Sequence, residues 1–299
     1  MSIVAGPPLA HIGILVADLE TSRERWSRVL PWSFSPITRY RPANWSDLGN
    51  PNPHLHDARL TFYLGDRPSI EILEFVGNGT HSPERGEGGH HISFPPVRDN
   101  AARRRELADL GIGIDGEIFH DSRWIFLFSD ARALNNVYTE WVEEHPDHAD
   151  TKDDLSPINR LPDGTKTLFD VATIEELGGI RPSSEIVEIG VSVAALDSAI
   201  VAWNDATGYL FSVDADNPAS AVSFESEPTI RLIQNGHSEG REGLFYAVIR
   251  DDDLAATSAR FGSSSVPFTQ TKGEGGELEE LEVDAQFLNG FTLRFRTDG

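Results

Sequence analysis

Short aliphatic runs alternate with helical stripes along the chain. Residues 9–16 (Leu-Ala-His-Ile-Gly-Ile-Leu-Val) are aliphatic and β-branched enough to predict a strand. Asp18 is placed to cap a helix over 19–30, in which Leu19, Trp26 and Leu30 recur at helical spacing before Pro31. Segments 59–64 and 69–76 predict two strands joined by the hairpin signal Gly65-Asp66-Arg67-Pro68. A strand over 90–94, a helix over about 99–110 closed by Gly111, and strands over 123–128 and 137–143 come next. Residues 9–145 therefore read as two similar strand–helix–strands units.

Residues 145–184 break this rhythm. His145-Pro146-Asp147-His148-Ala149-Asp150 is polar, and Pro157, Pro162, Gly164, Gly178, Gly179 and Pro182 punctuate the rest of the stretch, so 146–184 predicts a linker with a short helix near 167–177. The pattern then returns: a strand over 186–193, a helix over 196–206, strands over 220–225, 228–234 and 243–249, a helix over 252–261, and strands over 278–284 and 290–296. Lys272-Gly273-Glu274-Gly275-Gly276-Glu277 predicts a surface connection.

The return is also a repeat of sequence. His11-Ile-Gly-Ile-Leu-Val-Ala-Asp-Leu-Glu aligns without a gap on Glu188-Ile-Gly-Val-Ser-Val-Ala-Ala-Leu-Asp. Ile12, Gly13, Val16, Ala17 and Leu19 match Ile189, Gly190, Val193, Ala194 and Leu196, and farther along Trp26 falls on Trp203 and Phe34 on Phe211. Such a register marks two related halves, residues 1–145 and 185–299, each of two units.

Composition narrows the chemistry. With 39% hydrophobic residues, six Trp and sixteen Phe in 299 residues, the chain can build real cores and is not a disordered one. A formal net charge of −23 argues against nucleic acid or an anionic membrane as the main partner and otherwise serves solubility. The N-terminus lacks the basic start and apolar stretch of a signal peptide, and no run reaches the length of a membrane span, so a cytoplasmic protein, monomer or homodimer, is expected. There is no cysteine, which removes disulfides, thiolate metal sites and cysteine nucleophiles together. Any metal must be held by His, Asp and Glu.

Four such residues stand at matched places in the first half. His11 and His91 lie on the opening strands of the two units, and Glu71 and Glu140 lie on later strands. Singly, a strand histidine is usually a satisfied core or surface group and a strand glutamate a solvent face. Alternation, however, puts Glu71 with Leu73 opposite Ile70 and Ile72, and an ionisable group on a buried face is costly unless paired or bound to a cation. Two imidazoles and two carboxylates suit one divalent ion of the Zn, Fe, Ni, Mn or Co type, with zinc expected first.

His11-Ile-Gly-Ile-Leu-Val-Ala-Asp-Leu, Ser69-Ile-Glu-Ile-Leu-Glu-Phe, Gly89-His90-His91-Ile-Ser-Phe and Val137-Tyr-Thr-Glu140-Trp-Val-Glu together resemble the vicinal oxygen chelate superfamily. That superfamily takes in glyoxalase I, methylmalonyl-CoA epimerase, extradiol dioxygenases and bleomycin-resistance-type binding proteins. The resemblance implies an α+β fold of four βαβββ modules forming two paired glyoxalase-like domains. It assigns the metal to His11, Glu71, His91 and Glu140, a set similar to that of bacterial glyoxalase I. His91 is preferred over His90 because it precedes Ile-Ser-Phe as His11 precedes Ile-Gly-Ile; His90 is then expected on the opposite face, in a structural or supporting role. In the second half Glu188, Arg231 and Arg294 replace His11, Glu71 and Glu140, and Leu244-Phe245-Tyr246 offers no imidazole, so that half is expected to be a degenerate copy holding internal ion pairs.

The resemblance implies a metal-dependent lyase, isomerase or epimerase that enolises a small carbonyl substrate, with Glu140 or Glu71 moving the proton and Tyr138 a candidate donor on the same face. His54 and His56 are alternatives that otherwise read as a solvated polar loop. An Fe(II) extradiol ring-cleaving dioxygenase is the second expectation; such enzymes use two His and one Glu, usually in the later half. A metal-free binding or resistance protein is the third. Arg103-Arg104-Arg105, the one dense basic run, is expected to be a solvated helix face, or an anion site if the substrate carries phosphate.

Overall fold

The structure, a computed structural model, describes residues 7–143 and 184–297 apart from 65–67, 121, 225, 238 and 239. The expected linker with its short helix, and most of the Gly65–Pro68 turn, lie outside the described residues. Along the first half run β1 (His11–Val16), α1 (Leu19–Val29), β2 (Ser33–Phe34), β3 (Thr38–Tyr40), β4 (Trp45–Asp47), β5 (Asn50–His54), β6 (Ala58–Leu64) and β7 (Ser69–Glu74). Then come β8 (Gly88–Ser93), α2 (Asn100–Asp109), β9 (Ile114–His120), β10 (Arg123–Ser129) and β11 (Tyr138–Val142). The second half carries β12 (Ile186–Val193), α3 (Leu196–Thr207), β13 (Phe211–Val213), β14 (Ser220–Ser223), β15 (Thr229–Gln234) and β16 (Gly243–Arg250). It ends with α4 (Leu254–Ser263), β17 (Phe268–Lys272), β18 (Leu278–Val283) and β19 (Thr292–Arg296). Each half is thus two strand–helix–strands modules, an α+β arrangement.

Local chemistry sets these boundaries. Asp18 caps α1 by accepting from the Thr21 amide at 2.8 Å, and Asp99 caps α2 through the Ala102 amide at 2.9 Å. Helix α1 buries Leu19, Ser22, Trp26 and Val29 along one stripe and stops before Pro31. No helix among the described residues is long and apolar enough to cross a membrane.

In each half the two modules meet at antiparallel opening strands, β1 with β8 and β12 with β16. Flanking them are parallel neighbours, β7 on β1 and β11 on β8, then β15 on β12 and β19 on β16. The first sheet runs β2-β6-β7-β1-β8-β11-β10-β9-β4-β5, with β3 also on β6; the second runs β13-β14-β15-β12-β16-β19-β18-β17. Ile12, Ile14 and Val16 enter the main core beside α1, whereas Leu15 packs on the other face with Leu60, Phe62 and Leu73.

The segment between β2 and β6 shapes the first sheet. Strand β3 pairs with β6 near one end of that sheet, and β4 pairs with β9 near the other. In a flat sheet β3 and β4 would be about 38 Å apart, at eight strand spacings of about 4.8 Å. Yet Tyr40 and Trp45 are five residues apart in sequence, a reach of at most about 18 Å. The sheet must therefore curl, and residues 38–57 cross from one end of it to the other.

Paired contacts lock the halves to each other. Trp26 donates its indole N–H to Asn289 Oδ1 at 3.4 Å, and Trp203 donates to Asn135 Oδ1 at 3.1 Å. Asn289 donates to Glu87 Oε1 and Asn135 to Glu242 Oε1, and those same carboxylates accept from the amides of Ala17 and Ala194. Both asparagines are left-handed, with φ of 60° and 55°. The tryptophan match in the repeat is thus an inter-half contact made twice. The arginine run belongs here too: Arg103 stacks on Trp141 at 4.0 Å and donates to the Ala206 carbonyl of the second half, and Arg104 lies over Trp124 and pairs with Glu117. Arg103 is thus engaged in packing, whereas Arg104 lies over Trp124 yet stays partly open to solvent.

Candidate metal centre

His11, Glu71, His91 and Glu140 come together, all buried, with one ligand atom of each lying within 4.8 Å of the others. The register explains the convergence. Gly13 of β1 faces His91 across the antiparallel seam and Glu71 across the parallel one, while Glu140 of β11 lies beside Ser93 of β8. Four strands thereby point one polar side chain each into the same concave face. Gly13 leaves the room: a Cβ there would lie 2.0 Å from His91 Cε1.

The spacing is that of ligands around one ion. The two Nε2 atoms are 3.0 Å apart, and His91 Nε2 lies 3.1 Å from Glu71 Oε2 and 3.4 Å from Glu140 Oε2. His11 Nε2 is 3.8 Å from Glu71 Oε2 and 3.7 Å from Glu140 Oε1. Ligand atoms about 2.1 Å from a common cation lie roughly 3.0 Å apart at right angles and roughly 3.4 Å apart at the tetrahedral angle. Two carboxylates on a buried face need a positive charge between them. Burial pushes the His11 imidazole down, but Glu140 and Glu71 outweigh burial and raise it above its ordinary value. Burial pushes Glu140 up, yet His11, His91 and the Ser93 hydroxyl, which donates at 2.9 Å, hold it below the usual carboxylate range.

The two carboxylates differ in their tethers. Glu140 is held by Ser93, whereas Glu71 has only the two imidazoles as polar partners among the described residues. Tyr138 stands apart from the cluster. It pairs with His91 in register, but its ring stacks on Phe128 and packs against His90 beneath Arg85, and its buried hydroxyl has no partner among the described residues. Burial pushes that phenol up to about 12. The phenol that senses both carboxylates is Tyr40 on the crossing segment, held protonated by burial and by the charges of Glu140 and Glu71. No sequence signal marked it, because its place depends on where the crossing lands.

His90 departs from the expected opposite face. The β1–β8 register passes from Gly13↔His91 to Ile14↔Gly89, so His90 is the extra residue of a β-bulge. The bulge turns its ring to the side of Phe128 and Tyr138, against His91. Of the two loop histidines, His54 is a surface group hydrogen-bonded to the Asn52 carbonyl. His56 instead is buried and stacks on Trp45 at 4.4 Å beside His81.

Burial depresses His56 to about 4, below the 6.5 of a free imidazole. The unfolded chain therefore takes up this proton first as pH falls, and the stability contributed by neutral His56 is lost between about 6.5 and 4. The stability difference between the wild type and His56→Gln is expected to shrink by about 3 kcal/mol across that window, read by urea unfolding of the chelator-treated protein. A pH-independent difference would contradict a buried neutral His56.

In the second half the same four positions hold different chemistry. Glu188, Arg231, Tyr246 and Arg294 occupy the register places of His11, Glu71, His91 and Glu140. Arg231 pairs with Glu188 at 3.1 Å and Asp214 at 2.5 Å, and Tyr246 donates to Glu188 at 2.5 Å. Arg294 pairs with Glu282 and lies over the Tyr246 ring. The expected internal ion pairs are present, although Arg294 takes Glu282 rather than Glu188 as its partner.

No protein-family model matches the chain, and the comparison with curated proteins found no match in sequence. Solved structures are similar in fold. A mutant of 4-hydroxymandelate synthase from Streptomyces coelicolor superposes with a TM-score of 0.63 at 14% identity, over 99% of this chain and 95% of that one. A catechol 2,3-dioxygenase gives 0.54 at 10% identity over 99% and 89%. A 2,2',3-trihydroxybiphenyl 1,2-dioxygenase from dibenzofuran-degrading Sphingomonas wittichii strain RW1 gives 0.54 at 11% over 99% and 91%. The fold is the tandem vicinal oxygen chelate fold.

Proposed function

We propose that the chain is a divalent-metal enzyme of the lyase, isomerase or epimerase kind, acting on a small substrate that presents a carbonyl and a neighbouring oxygen. The observation that carries this reading is the second carboxylate, Glu71, 3.1 Å from His91 Nε2. Two His and one carboxylate form the triad of Fe(II) oxygenases; Glu71 adds a fourth ligand and a base. A divalent ion in this site would polarise a carbonyl and stabilise charge developing on its oxygen.

The residues divide the remaining work. Glu140, tethered by Ser93, keeps its place with His11 and His91. Glu71, free of such a tether, can swing from the cluster, take the proton next to the carbonyl and return it at a neighbouring carbon. Tyr40, kept protonated by burial and by the charges of Glu140 and Glu71, would donate a hydrogen bond to a substrate oxygen. The apolar face of Leu15, Leu60, Phe62 and Leu73 beside the cluster would exclude water. The second half, with Glu188 bound to Arg231 and Tyr246, supports the first without a metal of its own.

A dioxygenase is the second reading, favoured by the fold likeness to the catechol and trihydroxybiphenyl enzymes. Purified protein is expected to hold one divalent ion per chain and to exchange substrate C–H for deuterium in D2O with a 2-hydroxyketone or an α-branched thioester. Oxygen uptake with catechols by the Fe(II)-loaded protein, without exchange, would replace the first reading with the second. Absence of stoichiometric metal would sink both.

A further inference from the structure

The polar surroundings of His91 point to a residue acting behind the metal cluster. His90 Nε2 lies 2.9 Å from the Thr80 carbonyl oxygen, and His90 Nδ1 lies 2.9 Å from His91 Nδ1. A carbonyl can only accept, so His90 Nε2 carries a proton. A neutral imidazole then has a bare Nδ1, and the one proton needed in the contact with His91 must sit on His91 Nδ1. In a neutral His91, Nε2 is then left as a lone pair facing His11, Glu71 and Glu140. We propose that His90 is a positioning residue that fixes His91 as the Nδ1–H tautomer, so that the ligand nitrogen is already bare when a metal arrives. The proposal rests on the reading of the four-residue cluster as a metal centre.

The second half provides an internal control. Its β12–β16 seam carries the same bulge, with Gly190↔Tyr246 followed by Val191↔Leu244, and the skipped residue is Phe245. Phe245 and Tyr246 meet at 4.8 Å and 80°, almost as His90 and His91 meet at 5.2 Å and 84°. A phenyl ring therefore fills the bulge where no imidazole ligand comes after it, and an imidazole fills it where one does. Packing alone does not require nitrogen at this position. The far end of the chain is held as well: the Thr80 amide donates to Asp47 Oδ2 at 3.3 Å, and that oxygen also accepts from Trp45 Nε1 at 2.8 Å. The crossing segment thus anchors the carbonyl that orients His90. Carboxylates or carbonyls commonly orient a ligand histidine directly, and their loss typically costs 10–100-fold in metal affinity.

Nitrogen-resolved NMR of the metal-free wild type is expected to show His91 protonated on Nδ1 and bare at Nε2. In zinc titrations against a chelating dye, His90→Phe, the residue of the other half, is expected to bind about 10–100-fold more weakly and to lose the single tautomer. His90→Asn, whose Oδ1 stands near the place of the imidazole Nδ1 and can accept from His91, is expected to recover most of that loss. A proton on His91 Nε2 in the wild type would overturn the proposal. So would a His90→Phe protein that binds zinc as tightly as wild type, or a folded His90→Asn as weak as His90→Phe. Should His90→Phe fail to fold, the wild-type tautomer and the His90→Asn affinity decide. A wild type with the expected tautomer that takes up no zinc would end the metal reading while leaving the tautomer assignment standing.

Discussion

Glu140→Gln is expected to empty the metal centre and abolish turnover while the chain stays folded. The substitution keeps size and one oxygen, so the Ser93 hydroxyl, 2.9 Å from Glu140 Oε1, can still donate to it. What it removes is one of the two negative charges that neutralise a divalent ion among buried groups. It also introduces an amide beside His91 Nε2, now 3.4 Å from Glu140 Oε2, and an N–H there would occupy the lone pair that a cation needs. Outer partners of a ligand are worth about 10–100-fold in affinity, so loss of the ligand itself should exceed 100-fold. Elemental analysis after dialysis and a circular dichroism melt measure the two halves of the expectation. Normal metal content with full activity would refute the assignment of the site.

A feature was legible in the sequence when it depends on one segment at a time. Strand alternation is of that kind, so Glu71 could be placed with Leu73 on the face opposite Ile70 and Ile72 without any knowledge of partners, and the structure has that alternation. The matched places of His11 and His91 come from the repeat of modules and were equally open to reading. Elements whose identity depends on a distant partner were not. Asn50-Pro-Asn-Pro-His54 has neither alternation nor β-branched residues, yet it is strand β5, because β4 before it is captured by β9 from the far end of the sheet. The short β2 and β3 went unpredicted for the same reason, since both pair with the remote β6, whereas β9, β13 and β17 went unpredicted although each pairs with the next strand in sequence. Tyr40 and His56 ride on that crossing, so the influence of Glu140 and Glu71 on Tyr40 and the burial of His56 against Trp45 are consequences of topology. His90 shows the limit most sharply: strict alternation sends it to the opposite face, and only the register shift against β1, a property of two strands together, brings it back against His91.

The paired glycines of the repeat separate metal chemistry from packing. At Gly13 an added Cβ would lie 2.0, 2.2 and 2.5 Å from Cε1, Nδ1 and Nε2 of His91; at Gly190 it would lie 1.7, 2.2 and 2.4 Å from Cε1, Cδ1 and Cζ of Tyr246. Neither ring can turn aside at little cost, since His91 is flanked by His11, His90 and Phe128, and Tyr246 by Phe245 and Arg294. Overpacking of this kind costs about 1–3 kcal/mol, so Gly13→Ala and Gly190→Ala are both expected to lower the urea midpoint. Their metal content should diverge. Gly13→Ala displaces a ligand nitrogen from a cluster whose atoms must stay within a few tenths of an ångström of the ion's bond length, and it should lose the metal as completely as Glu140→Gln. Gly190→Ala disturbs only the Glu188–Tyr246–Arg231 plug and should keep one ion per chain. A Gly13→Ala protein with its full metal complement would show that His91 is not a ligand. A Gly190→Ala protein that is folded but metal-free would show that the second half shapes the centre in the first.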